Sequence, residues 1–516
     1  MAPGITLEAC GKALYCGSMR ALRLLATLAV MASWRLSAQS ASPYLPIGHW
    51  ATPYIEHLIT RGVVVDPTPL TRPWRETVIV QALKDADTTA MTGAERAQVA
   101  RIIAALDDPE AGPRARVDLD VGVAAANFSR RDPLRADSTG HGTLNAGANI
   151  DFRFGPIVAV THPELDTRLK YDPDWYGRKN RVIAGRTDEA YLSAQWRYGE
   201  VFFGSLDRNW GPAAAQGLLL SPNPYSLTHL AVNVGTSGFQ LQAWVTQLND
   251  LTDTAGAPIH RYMVQHRLWV KIPAGWTVSA WEGSVTSGNG RTLEPWFANL
   301  MDLGYLEQVN TNTNVNSFLG LDFQRRGRTS VFGQFLLDDI QVDKSAASDK
   351  KPSSYGLTLG AQGSAAGMAW TAFYTRVANL TYRNEDNTMV PLFFGLGTGR
   401  NYDDYDQLTL KGSVLTGPGV LLEPELTLLR QGQGDPRLPH PPVSAYPTTA
   451  GIFQGVVERT FRVALGARAD GSHFGISGNA GLHFVHNEAH VSGASGTRFV
   501  GQIAVTYRFG GESVLP

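Results

Sequence analysis

Side chains able to do chemistry are few in this chain and do not converge. It contains no Gly-x-Ser-x-Gly elbow, His-Glu-x-x-His helix, phosphate-binding loop or Gly-x-Gly-x-x-Gly turn after a strand, so the common nucleophile, zinc and nucleotide arrangements are missing. The densest ligand-capable run is His486-Asn487-Glu488-Ala489-His490. On a strand, His486, Glu488 and His490 would share one face at steps of about 7 Å. A metal centre needs ligands that converge, so the run is expected to be a polar strand extension that binds no metal. Asp338-Asp339 and Asp403-Asp404 are neighbours in sequence. Adjacent strand residues point to opposite faces and a hydrolytic pair needs opposed carboxyls, so these are expected as solvated rim carboxylates. No enzymatic activity and no cofactor is expected.

A second group of residues mixes aromatic rings with charge in segments that read as loops. These are Trp175, Tyr176 and Arg178; Arg208, Asn209 and Trp210; Trp296; and Tyr402 with Tyr405. An aromatic face covers the C–H face of a sugar ring, while Arg and Asn supply donors and acceptors for hydroxyls. A polysaccharide bound at an outer rim is the chemistry these residues suit. The same rings also suit an interfacial girdle.

The elements that must carry these loops fall into two kinds. Residues 49 to 107 have helical periodicity: Tyr54, Ile55, Leu58 and Ile59 share a face, Gly62 stops the helix, and Thr77 to Ala86 and Ala94 to Leu106 form two more. A unit of about sixty residues is near the lower limit for folding alone, so it is expected to lean on its neighbour. From residue 117 the period becomes two. In the last segment Phe499, Ile503, Val505, Tyr507 and Phe509 share one face, with Gln502, Ala504, Thr506 and Arg508 on the other. That alternation suits a strand between lipid and a wet lumen, and a one-residue slip would invert it. About eighteen such strands can be marked, the first near 117–127, others near 228–236, 315–325 and 367–382, and the last near 497–509. Tight joins such as Gly155-Pro156, Thr416-Gly417-Pro418 and Asp470-Gly471 alternate with long connections such as 208–227, 287–314 and 383–403. The expected fold class is mainly β: a transmembrane antiparallel β-barrel with a small N-terminal α-helical domain in the periplasm. Residues 293 to 308 are expected to form a short helix turning Trp296, Leu300, Leu303 and Leu306 inward as part of a plug.

Composition agrees with one large membrane sheet. Of 516 residues, 18% are charged and 53 are glycine, with 43% hydrophobic; the mean hydropathy is -0.14. This excludes disorder and collagen. No stretch after residue 38 has the roughly 20 consecutive apolar residues of a spanning helix. From Met19, the basic Arg20 and Arg23, the apolar Leu24 to Ala32 and the small residues before Gln39 resemble a secretory signal peptide. Removing residues 1–38 takes away four basic residues, one acidic residue and both cysteines, leaving 41 against 45 and a net charge of -4. That balance gives no footprint for nucleic acid. The expected organisation is 1–38 start region and signal, 39–112 helical domain, 113–510 barrel and 511–516 tail.

Val201-Phe202-Phe203-Gly204-Ser205-Leu206-Asp207-Arg208-Asn209-Trp210-Gly211-Pro212, followed by Gly217-Leu218-Leu219-Leu220-Ser221-Pro222-Asn223, resembles a stretch of the Wzi family of capsule-assembly outer-membrane proteins. Phe373 to Arg376 and Thr381 to Arg383 are similar to that family's later strands. The resemblance implies an occluded eighteen-stranded barrel with a periplasmic helical bundle, acting as a surface lectin for capsular polysaccharide in the outer membrane of a Gram-negative cell. His49-Trp50-Ala51 through Gly62-Val63-Val64 resembles the S-layer homology motif, which implies attachment to cell-wall polymer such as peptidoglycan. The expected partners are therefore surface polysaccharide, outer-membrane lipid and peptidoglycan, with the chain a monomer. The alternative is a diffusion porin for small solutes or sugars.

Overall fold

The computed structural model describes residues 41–107, 112–223, 225–311, 314–340 and 345–514. The signal-like segment and both cysteines lie outside them. Eighteen antiparallel strands among the described residues close into one barrel. The first nine are β1 (Arg114–Ala126), β2 (His141–Phe154), β3 (Ile157–Asp166), β4 (Ala184–Trp196), β5 (Gly199–Ser205), β6 (Thr228–Thr236), β7 (Phe239–Gln247), β8 (Pro258–Ile272) and β9 (Trp276–Asn289). The others are β10 (Val315–Arg325), β11 (Thr329–Asp339), β12 (Ser354–Ala365), β13 (Met368–Val377), β14 (Tyr405–Gly417), β15 (Val420–Gln431), β16 (Glu458–Asp470), β17 (Phe474–His486) and β18 (Ser495–Val514). The sheet closes where β18 pairs with β1, from Gln502 opposite Ala126 to Val514 opposite Arg114. The expected tail from 511 is thus strand as far as Val514, because β1 offers it a partner edge.

Alternation sets the two faces. Leu144, Leu192, Phe203, Leu359, Leu482 and Ile503 are exposed on the outside. Near the tight turns an aromatic rim includes Phe152, Phe154, Phe474, Tyr507 and Phe509, with the Phe474 and Tyr507 rings 4.8 Å apart. Phe461 and Phe484 pair nearer the long loops. Such a belt is what lipid requires of a barrel wall. No helix among the described residues is long and apolar enough to cross a membrane.

The helical head docks into the tight-turn end. It comprises α1 (Thr52–Arg61), α2 (Glu76–Lys84) and α3 (Gly93–Leu106). Gly62 ends α1 in the left-handed conformation at φ 80°, and a reciprocal Thr92–Glu95 capping box starts α3. The head's core of Tyr54, Ile55, Leu58, Ile79 and Ile102 includes Leu421 from the barrel, so the head does lean on its neighbour. The Tyr54 hydroxyl donates to the Gly419 carbonyl at 2.7 Å. The Arg101 guanidinium sits 4.7 Å from the Trp50 ring and donates to the Asp470 and Gly471 carbonyls. Trp50 and Tyr54, which lie in the S-layer-like segment, therefore face a barrel turn.

Candidate functional site: the barrel lumen

Two of the long connections fold into the barrel instead of standing outside it. Residues 206–227 and 378–404 carry Leu206, Leu218, Leu219, Leu220, Tyr382 and Met389 into a core shared with Phe202, Trp244, Trp281 and Phe318 of the wall. The Tyr382 hydroxyl donates to the Leu218 carbonyl, and Ser221 N–H donates to Thr398 O at 2.8 Å. At Gly399 the two segments touch: a Cβ there would lie 2.1 Å from the Leu218 carbonyl oxygen. A run of three leucines, Leu218 to Leu220, has no reason to face water; read that way, the sequence held the signal for this inward loop.

The expected rim residues are accordingly divided. Arg208, Asn209 and Trp210 lie inside the barrel and are corrected as rim contacts. The Arg208 guanidinium is 4.4, 4.6 and 5.0 Å from the Tyr44, Phe202 and Trp244 rings. Asn209 Oδ1 accepts from Gly217 N–H at 2.7 Å. Trp210 is 1% exposed and pairs through its backbone with Thr71 of the head. Beside it a buried network joins head, lumen loop and wall. Arg267 donates to Asp322 at 2.9 Å and to the Leu70 carbonyl at 2.9 Å. Asp322 also accepts from Ser279, Trp281 and Gln334.

Trp175 and Tyr405 are buried, Trp175 against the Tyr225 ring at 4.8 Å. Tyr176 remains 42% exposed and stacks on Phe394 at 4.4 Å, with Arg178 exposed nearby in sequence. Tyr402 is half-buried beneath the Arg135 guanidinium at 3.9 Å. Trp296 is exposed, but it lies on the outer wall: the helix found there, α4 (Gly304–Thr311), begins on the outward-facing Glu282 carboxylate. The inward plug expected of Trp296, Leu300, Leu303 and Leu306 is therefore corrected.

The acidic and histidine runs also differ from expectation. β17 ends at His486, and Asn487, Ala489 and His490 take positive φ, so His486, Glu488 and His490 do not share a strand face. His486 contacts Ser495, His490 contacts the Val456 carbonyl, and Glu488 pairs with Arg498. Among the described residues no group of three His, Cys, Asp or Glu is placed to hold a metal ion. Asp403 and Asp404 are buried, not solvated. Asp404 accepts the Gly434, Phe453 and Gln454 amides and so joins two loops. Asp338 accepts from Tyr382 N–H at 2.8 Å, while Asp339 pairs with Lys351.

Among the described residues the inward loops leave two large cavities, the first bordered by wall strands from β12 round to β2 and the second by β15 to β18. The first, about 790 Å³, has α1 residues Pro53, Glu56 and His57 as part of its lining, with Glu425, Asn479 and Gln502 on the barrel wall. Burial holds the His57 imidazole down to about 4, so it is neutral at pH 7 and its 3.5 Å approach to Glu95 is not an ion pair. The second cavity, about 660 Å³, lies toward the long loops between Arg135, Tyr402, Thr460, His483 and Arg498. At the level between them sits Arg462, 1% exposed, which pairs with Glu425 at 3.2 Å and also contacts Asn479 and His483. Sequence reading missed this cluster, although its signal was present. Arg462 stands on the polar side of an alternating strand between the outward Phe461 and Val463.

A closed eighteen-stranded antiparallel barrel with an apolar outer belt has the form of an outer-membrane β-barrel. No family model matches the chain, and no curated protein matches it. Among solved structures, Pseudomonas aeruginosa OprD is 10% identical, with 77% of this chain and 95% of that one covered at a TM-score of 0.44. Acinetobacter baumannii OccAB4 is 9% identical, with 78% and 99% covered at 0.45. The Pseudomonas aeruginosa outer-membrane protein OpdK is 10% identical, with 77% and 99% covered at 0.45.

Proposed function

We propose that the chain is a narrow diffusion channel for small polar solutes, non-enzymatic, with its head in the periplasm and its long loops outside. The observation that carries this reading is the pair of cavities stacked along one wall, about 790 and 660 Å³, in which charged and amide side chains such as Glu425, Asn479 and Arg498 stand among apolar ones, with Arg462 between them. A water-filled route needs space for solute and polar groups to replace its hydration; the β14–β18 side offers the space, with Lys411, Glu425, Asn479 and Gln502 as the polar groups along it. The opposite side is filled by apolar loop residues, which narrows the route. The short turns lie at the head end, as periplasmic turns do in such barrels. Liposome swelling with sugars of graded size tests the reading. Entry of monosaccharides with exclusion of larger oligosaccharides is expected, and no swelling with any solute would overturn it.

A second reading, binding of surface or capsular polysaccharide in the manner of the Wzi family, is favoured by one observation. The stacked Tyr176 and Phe394 rings are both exposed on long loops. If it holds, Tyr176→Ala lowers glycan binding to intact cells while Trp210→Ala acts only through stability.

A further inference from the structure

The outer wall made by β7 to β10 departs from the belt that surrounds the rest of the barrel. Its outward positions near the tight turns are apolar: Phe239, Leu268, Ile272 and Leu321 are exposed there. Higher on β8 to β10 the outward row takes in polar groups among valines. His266 stands opposite Glu282, Ser284 opposite Ser317, and Thr286 opposite Val315. Their chain neighbours Arg267 and Trp281 point into the lumen, where both meet Asp322, which fixes the outward direction of His266 and Glu282.

The height of this polar row can be set from the strand itself. Glu282 lies six residues beyond Trp276 at the tight-turn end of β9. Six residues rise about 20 Å along a strand, or about 15 Å along the normal of a barrel tilted by roughly 40°. An apolar belt is about 25 Å tall, so Glu282 falls inside it. On the far wall the belt of β17 remains apolar up to Phe484, ten residues beyond Phe474.

Residues 290–311 cover the polar row. The Gly304 and Tyr305 amides donate to the two Glu282 carboxylate oxygens at 2.7 and 3.2 Å, and His266 Nδ1 lies 2.7 Å from the same carboxylate. Phe297 is buried with Val264 and Val315. Gly304 allows this closeness, since a Cβ there would lie 2.9 Å from the Phe297 ring. Glu282 is left 4% exposed. The opposite side of the segment presents Trp296, Met301, Leu303, Tyr305 and Leu306, and Leu303 is 53% exposed.

We propose that residues 290–311 form a membrane-embedded flap. It lies in the leaflet on the long-loop side, with Trp296, Met301, Leu303, Tyr305 and Leu306 against lipid acyl chains and Glu282 and His266 sealed beneath. Acyl chains are the occupant because the flap continues the lipid-facing belt over the stretch of wall that carries the Glu282 carboxylate and His266. A bare carboxylate at that height would face hydrocarbon, where an unpaired charge is strongly unfavourable.

Site-directed spin labelling tests this in the full chain carrying Cys10→Ser and Cys16→Ser, reconstituted in phosphatidylcholine vesicles. Nitroxides are placed through Met301→Cys and Leu303→Cys, with Leu321→Cys as the lipid-facing control and Lys179→Cys as the aqueous one. Collision with oxygen should exceed collision with a water-soluble nickel chelate several-fold at 301 and 303, as at 321. Values matching position 179 would overturn the proposal. Spin–spin broadening that grows with protein-to-lipid ratio would also overturn it, because a second copy would then be the occupant. Adding Glu282→Ala, with folding checked by heat-modifiable gel mobility, should raise nickel accessibility at 303 several-fold. No change there would overturn the role of Glu282 in holding the flap down.

Discussion

At the scale of single residues, the lumen is held by a few groups that cannot be altered in isolation. Asp322 accepts from Arg267, Ser279, Trp281 and Gln334, and Arg267 in turn reaches the head's Leu70 carbonyl. Removing the carboxylate leaves a buried guanidinium without its counter-charge, which costs about 3–5 kcal/mol. Asp322→Ala should therefore lower the urea midpoint of the refolded barrel markedly, and an unchanged midpoint would show that water replaces the carboxylate. Gly399 acts by space, not charge. Its contact with the Leu218 carbonyl leaves no room for a methyl group, so Gly399→Ala should loosen residues 378–404, at a cost of about 1–3 kcal/mol. Faster proteolytic cleavage of that loop, with the barrel intact on a gel, is the expected outcome. Arg208, by contrast, offers rings and not solvent to its guanidinium, which explains why a residue type suited to sugar recognition sits far from any rim.

Elements show where sequence pattern is informative and where it stops. Lipid outside and water inside impose a period of two on every spanning segment, so the strands could be marked from alternation alone, and β6 and β10 fall at the marked positions. β13 is the clearest exception. Its expected course to residue 382 ends at Val377, because the chain then turns into the lumen and is paired by loop contacts. Loop direction is not written in a periodic pattern. It depends on which apolar runs find a partner surface, and that surface belongs to strands distant in sequence. The head shows the same dependence, since its helices are local but its docking rests on barrel turns. At that docking surface burial pushes the Glu76 carboxyl up to about 7, with the Arg153 guanidinium 3.2 Å away opposing the rise. A folded value above the unfolded one means that the docked head favours the protonated acid. Its contribution is fully present below about pH 4.5 and is lost as pH rises through about 7, by about 3 kcal/mol. Glu76→Gln should remove this slope. Limited proteolysis of the head from pH 5 to 8 would show increasing cleavage in the parent chain and a flatter profile in the variant; identical profiles would contradict the assignment.

At the scale of the whole molecule, the barrel is neither an empty pore nor a solid plug. The head spans the tight-turn end, loops fill one side, and polar space remains along the other. Low charge, abundant glycine and modest hydropathy are the average of these parts, an apolar outside against a polar inside. The proposed route for solute runs along the β14–β18 wall past Arg462. Single-channel recording of the purified chain in planar bilayers measures this most directly, with the Arg462→Ala variant beside it. Small, discrete conductance steps are expected in the parent chain, with a several-fold larger step in the variant. Absence of any conductance from both proteins, with barrels shown to be folded, would contradict it.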